Sequence, residues 1–136
     1  MRVLLDTNIV IDSFFAREPY NEDSDMIFDL VADKIIAGYI TASSITDIYY
    51  LLRKKFNDAD SRNKIRMLLK IFRVTKVTKT DCLAALDSLI PAFEDALVSV
   101  CADNANSDYI ITRDIDFLKV PKTISPNEFV KIIELK

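Results

Sequence analysis

Four aspartates stand where strand-like and helix-like patterns meet. Asp6 follows "RVLL", Asp47 follows "YITASSIT", Asp95 follows "IPAFE" and Asp114 follows "DYIITR". Carboxylates brought together repel one another and raise each other's pKa values. A hard divalent cation removes that penalty, and Mg²⁺ or Mn²⁺ accepts an all-oxygen ligand set. A cation held this way activates water and neutralises charge on a phosphate. The rest of the composition leaves few other routes. The chain has no histidine, so it has no Ser-His-Asp triad, no His general base and no His-ligated zinc. Its two cysteines, Cys82 and Cys101, have no metal-binding spacing. They lie in helical patterns and read as reduced, buried and structural.

Taken singly, each acid also has a structural explanation. Asp6 can be the N-cap of a helix beginning "TNIV". Asp47 reads as lying in the first turn of its helix, and Ser44-Ile-Thr-Asp47 resembles a capping box. Asp95 and its neighbour Glu94 suit a helix dipole. Asp114 and Asp116 can cap a short turn. The recurrence of acids at element ends, in a chain without histidine, favours the functional reading.

The elements that must carry them alternate. "RVLL" is a short buried strand, "TNIVIDSFFA" has helical spacing, and "NEDSDMIFDLVADKII" is an amphipathic helix with acids in its first turn. "AGYITA", with the only glycine, reads as a turn and short strand. "SSITDIYYLLRKKF" and "DSRNKIRMLLKIF" are helices, "RVTKV" is a strand, and "KTDCLAALDSLI" is a helix closed by Pro91. "FEDALVSVCADNA" is the next helix, "DYIITR" a strand, "TIS" a short edge strand and "PNEFVKIIEL" a last helix with Pro126 at its start. Such alternation predicts an α/β fold with a mainly parallel sheet. In that class the site lies beyond the carboxyl ends of the strands, where strand order reverses. With 136 residues, one domain spanning 1–136 is expected.

The net charge of −3 is unevenly distributed. Arg53 to Lys79 holds ten Lys/Arg against Asp58 and Asp60, while the remainder holds eight basic and nineteen acidic residues. That asymmetry suggests a polyanionic partner. Arg62, Arg66, Lys70 and Arg73 recur at helical spacing as one stripe, and Arg53 ends the preceding helix. This set is a candidate for phosphate contacts along a nucleic-acid backbone. A solvated face, or a docking surface for a protein, accounts for it equally. Tyr49 and Phe56 share an apolar helix face, whereas Tyr50 points elsewhere and is the candidate for stacking on a base.

Together "LLDTNIVID", "ASSITDIYYLLRK", "FEDALVSVCA" and "DYIITRDIDF" resemble the PIN domain and, more narrowly, VapC-type ribonuclease toxins. The resemblance runs in order from Val3 to Phe117. It implies a three-layer α/β/α fold with a central sheet of about five strands. It implies that Asp6, Asp47, Asp95 and Asp114 bind Mg²⁺ or Mn²⁺, with Asp116 as a further contributor. Asn8 and Thr112 match polar residues that hydrogen-bond within such sites. Asp12 lies in the matching segment, on a helix near large apolar residues, as a supporting or surface group. The departure is Asp47, which falls where the family usually has Glu; its shorter side chain reaches a metal directly or through water. The implied activity is metal-assisted hydrolysis of RNA, leaving 5′-phosphate and 3′-hydroxyl ends. The implied partners are RNA, an antitoxin protein covering the general side of the basic stripe, and a second copy in a homodimer.

Two other readings stay open at this point. One is a nuclease of the same fold that processes RNA or cuts DNA without an antitoxin. The other is a nucleic-acid-binding module whose catalysis is weak. A phosphoacceptor domain is disfavoured because Asp6 is followed by Thr7 and Asn8 rather than a second acid. No apolar run approaches the roughly 20 residues of a membrane helix. Asp6, Asn8 and Asp12 interrupt the N-terminal apolar stretch, so it does not read as a signal peptide, and a cytoplasmic location is expected.

Overall fold

A computed structural model describes residues 1–135 of the chain. Five strands form one parallel sheet: β1 (Arg2–Leu5), β2 (Ala37–Thr41), β3 (Arg73–Thr75), β4 (Tyr109–Ile111) and β5 (Thr123–Ile124), in the order β3-β2-β1-β4-β5. The helices between them are α1 (Thr7–Phe14), α2 (Asn21–Ala32), α3 (Ala42–Arg53), α4 (Asp58–Ile71), α5 (Lys79–Leu86), α6 (Phe93–Asn104) and α7 (Pro126–Glu134). The order of strands reverses between β1 and β4. A crevice opens at such a point, outside the carboxyl ends of both strands.

Alternation along β1 divides the core. Val3 and Leu5 face one side with Ile9 and Val10 of α1, Ile27 of α2, Ile48 and Leu52 of α3, Leu68 of α4 and Phe129 of α7. Leu4 faces the other side with Ala85 of α5, Ala96 and Cys101 of α6, Ile110 and Phe117. Two apolar clusters on the two faces of one sheet give the expected three layers. Both cysteines are free thiols, Cys101 buried and Cys82 half-buried. Among the described residues, no helix is long and apolar enough to cross a membrane.

Three local readings change. Gly38 is not in a turn but inside β2, where a Cβ would stand 2.6 Å from the Phe72 ring and 2.8 Å from Val31. The glycine is needed for close packing of α2 and Phe72 on the strand. α3 starts earlier than expected, with Thr41 as its cap accepting from the Ser44 amide, so there is no Ser44–Asp47 capping box. Asp47 therefore lies in the second turn rather than the first. α4 ends at Ile71, so Arg73 belongs to β3 and not to a helical stripe.

Candidate active site

β1 leads directly into Asp6, which caps α1 by accepting a 2.9 Å hydrogen bond from the Thr7 amide through Oδ1. Its other oxygen, Oδ2, accepts from the Thr112 hydroxyl at 2.8 Å. Thr112 follows β4 and is fully buried. Its hydroxyl oxygen also accepts from the Asp114 amide at 3.1 Å. One hydroxyl thus links the acids at the ends of two adjacent parallel strands. Capping α1 thus leaves Asp6 at the sheet edge, where it also lines a cleft.

Asp6, Asp47, Asp95 and Asp114 all line one cleft of about 520 Å³, together with Asn8, Glu94 and Arg17. β1 supplies Asp6, the turn after β4 supplies Asp114, the first turn of α6 supplies Asp95, and α3 supplies Asp47. Asp116 does not line this cleft. It lies in a neighbouring cavity that shares Asp95, and it pairs with Lys119 at 3.6 Å.

Comparison of two helix starts shows what Asp95 is not doing. Asp81 is the third residue of α5, and there it closes a capping box with Thr78. Hydrogen bonds from the Thr78 amide and hydroxyl lead the causes that hold its carboxyl below the ordinary value. Asp95 is the third residue of α6 and makes no such cap bond. Burial first, then the charges of Asp6, Asp114, Glu94 and Asp116, push it up from 3.8 to about 6. Asp6 is also raised, chiefly by burial, against the lowering effect of its bonds from Thr112 and Thr7. The same residue type at the same helix position is stabilised as an anion in one case and strained as an anion in the other. Uncompensated negative charge of this kind marks functional sites.

The donor set fits a hard divalent cation, since every acidic ligand offered is an oxygen and mutual repulsion is present. The buried Asn8 Oδ1 adds an oxygen without a hydrogen-bond partner among the described residues. Among those residues, no group of three side chains is gathered into a ready-made metal-holding cluster.

Glu94, read from the sequence only as a helix-dipole acid, is in the cleft and acts on both Asp6 and Asp95. Its place beside Asp95 in "FEDAL" was the available signal. Asp12 is neither a surface group nor a cleft residue. It is fully buried and paired with Arg113. The basic set is divided. Arg53 and Arg62 converge on Asp58, at 3.9 and 2.9 Å, and Tyr49 donates a hydrogen bond to the same carboxylate. Arg62 and Arg66 line a groove with Ile45, Thr46 and Tyr49, on a different face of α3 from Asp47 and Leu51 of the cleft. Arg73 stacks near Tyr39 on β2. Lys70 and Tyr50 are exposed.

No curated protein sequence matches the chain. Solved structures do. VapC20 of Mycobacterium tuberculosis, described as a sarcin-ricin loop cleaving toxin, aligns with a TM-score of 0.71 at 16% identity, over 88% of this chain and 95% of that one. A toxin–antitoxin complex from Klebsiella pneumoniae aligns with a TM-score of 0.69 at 20% identity, over 91% and 97%. VapBC2 from Rickettsia felis, bound to a fragment of promoter DNA, aligns with a TM-score of 0.65 at 18% identity, over 92% and 97%. At these identities the likeness is one of fold. A sequence model of the PIN domain, in turn, matches residues 2–116. With that match spanning most of its length, the chain belongs to the PIN domain family.

Proposed function

We propose that this protein is a metal-dependent endoribonuclease acting as the toxin of a toxin–antitoxin pair. The observation that carries the reading is that four acids from separate elements, Asp6, Asp47, Asp95 and Asp114, line one cleft at the sheet's switch point. Asp6, Asp95 and Asp114 hold Mg²⁺ or Mn²⁺, with Asp47 reaching it directly or through water from α3. The ion, when bound, supplies neutralisation of the phosphate and makes water a stronger nucleophile. The chain's own groups set the geometry. Thr112 keeps Asp6 in one orientation through its 2.8 Å hydrogen bond and orders the Asp114 turn through the 3.1 Å bond it accepts. Glu94 adds negative charge that strengthens cation binding. Asp116, in the adjoining cavity, contributes charge to Asp95 rather than a ligand. Hydrolysis by water leaves 5′-phosphate and 3′-hydroxyl ends.

The toxin assignment is supported by the descriptions of structures it resembles: a toxin–antitoxin complex, a VapBC complex and a toxin that cleaves the sarcin-ricin loop. It predicts a cytoplasmic protein and a short neighbouring reading frame encoding the antitoxin. The test of the activity is cleavage of single-stranded RNA with Mg²⁺ or Mn²⁺, compared with chelator and with Asp6→Asn and Asp95→Asn. Loss of cleavage in all three supports the reading. Cleavage that persists in chelator and in both variants refutes it.

A further inference from the structure

The cleft wall holds one cation. Arg17, in the loop between α1 and α2, is the only Lys or Arg lining the cleft among the described residues. The loop is built to present it. The Arg17 amide donates to the Asp12 carbonyl at 3.0 Å, and the Arg17 carbonyl accepts from the Asn21 amide at 2.8 Å. Ala16, just before it, has φ 49°, a left-handed conformation that is strained for a non-glycine residue.

Its guanidinium makes no hydrogen bond among the described residues, only a long ion pair. The nearest carboxylate, Asp12, is engaged by Arg113 at both oxygens, at 2.6 and 3.0 Å. Arg17 Nη1 stands 3.9 Å from Asp12 Oδ1, too far for a hydrogen bond, and the side chain is 44% exposed. It lies over the Phe15 ring, 5.1 Å from the centroid, which restrains it without using its N–H donors. A planar fork of free donors suits a phosphate, which it binds in bidentate fashion. The other charged groups that line the cleft are all carboxylates, which repel a polyanion, so a cation in its wall has a direct use.

We propose that Arg17 binds a backbone phosphate of the substrate strand, next to the scissile one. The assignment rests on the nuclease reading. Asp12 is served by Arg113, so Arg17 acts on the substrate and not chiefly as its structural partner.

Steady-state cleavage of a short single-stranded RNA, measured across a range of salt with Arg17→Gln and Arg17→Lys, tests this. Arg17→Gln raises KM about tenfold with kcat little changed, the worth of a charged hydrogen bond. Its plot of log(kcat/KM) against log[salt] flattens by about 0.7, the share of one phosphate contact on a single strand. Arg17→Lys keeps the wild-type salt slope while losing part of the affinity, and both variants melt within a degree or so of wild type. A wild-type KM and salt slope in Arg17→Gln overturns the assignment, as does a loss matched by a fall in melting temperature. If wild type cleaves RNA and Arg17→Gln is indistinguishable from it, this assignment alone fails. If wild type does not cleave RNA, the nuclease reading fails and takes it down too.

Discussion

Asp12 and Arg113, 101 positions apart, are joined by two hydrogen bonds of 2.6 and 3.0 Å. Asp12 is fully buried on α1, and Arg113 lies between Thr112 and Asp114, with its guanidinium over the Tyr20 ring at 4.1 Å. α1 begins at Asp6. The ion pair therefore ties the turn that carries Asp114 to the helix that Asp6 caps. It holds Arg113 charged, above its ordinary range, through the hydrogen bond to Asp12.

Removing one partner of a buried pair leaves the other charge unpaired, at a cost of about 3–5 kcal/mol. Arg113→Ala is expected at the low end, about 3 kcal/mol, because Arg17 stands 3.9 Å from Asp12 and offsets part of the loss. Denaturant unfolding with unchanged slope and a lower midpoint checks this. The double variant with Arg17→Gln should lose more than the sum of the two single losses, since each arginine then lacks its substitute.

Thr112→Val keeps the shape of a buried side chain and deletes its hydroxyl. Asp6 loses a bond that lowers its pKa, and the Asp114 amide loses its acceptor. Metal affinity should fall about 10–100-fold, as for other groups that orient ligands. Calorimetric titration with Mn²⁺ measures it. An affinity equal to wild type would show that the Thr112 bridge does not orient the acids.

Asp95 gives the metal-free protein a pH dependence. Its carboxyl is raised from 3.8 to about 6 in the folded state, so the folded chain binds the proton more tightly than the unfolded one. The resulting stability is fully present below about pH 4 and is lost as pH rises through about 6. Asp95→Asn cannot ionise there and should remove this component. In chelator, wild type and Asp95→Asn should therefore diverge between pH 4 and 7, with the variant the more stable at pH 7. Added Mg²⁺ at pH 7 should raise the wild-type melting temperature and leave the variant nearly unchanged.

Arg62 and Arg66 of α4 line a groove against a different face of α3 from the one that carries Asp47 into the cleft, so the account assigns them to binding and not to chemistry. Replacing Arg66 and Lys70 by Glu should weaken binding of long RNA and flatten its salt dependence. The kcat on a short oligonucleotide should stay at the wild-type value. A salt slope unchanged on long RNA would assign these residues to a solvated face.

What was legible in the sequence follows from how each feature is encoded. Asp6, Asp95 and Asp114 sit at element ends, and local pattern fixes those. The sheet's parallel order follows from alternation of strands and helices, so the crevice that collects these acids was expected. Asp47 shifted by a turn because "TASS" offers several hydroxyls that can cap, and Thr41 rather than Ser44 does so. The Asp12–Arg113 pair and the role of Gly38 against Phe72 depend on contacts between distant parts of the chain, which periodicity does not register. Arg17 was hidden for a related reason: it follows a helix in a loop, and only the fold turns that loop into the cleft.

The most direct measurement is a crystal structure with Mn²⁺, using anomalous scattering to locate the ion. A peak bounded by Asp6, Asp95 and Asp114, with Asp47 bound directly or through water, is the predicted result. Crystals saturated with Mn²⁺ that show no ion in this cleft, or that hold it only at other carboxylates, would contradict the account.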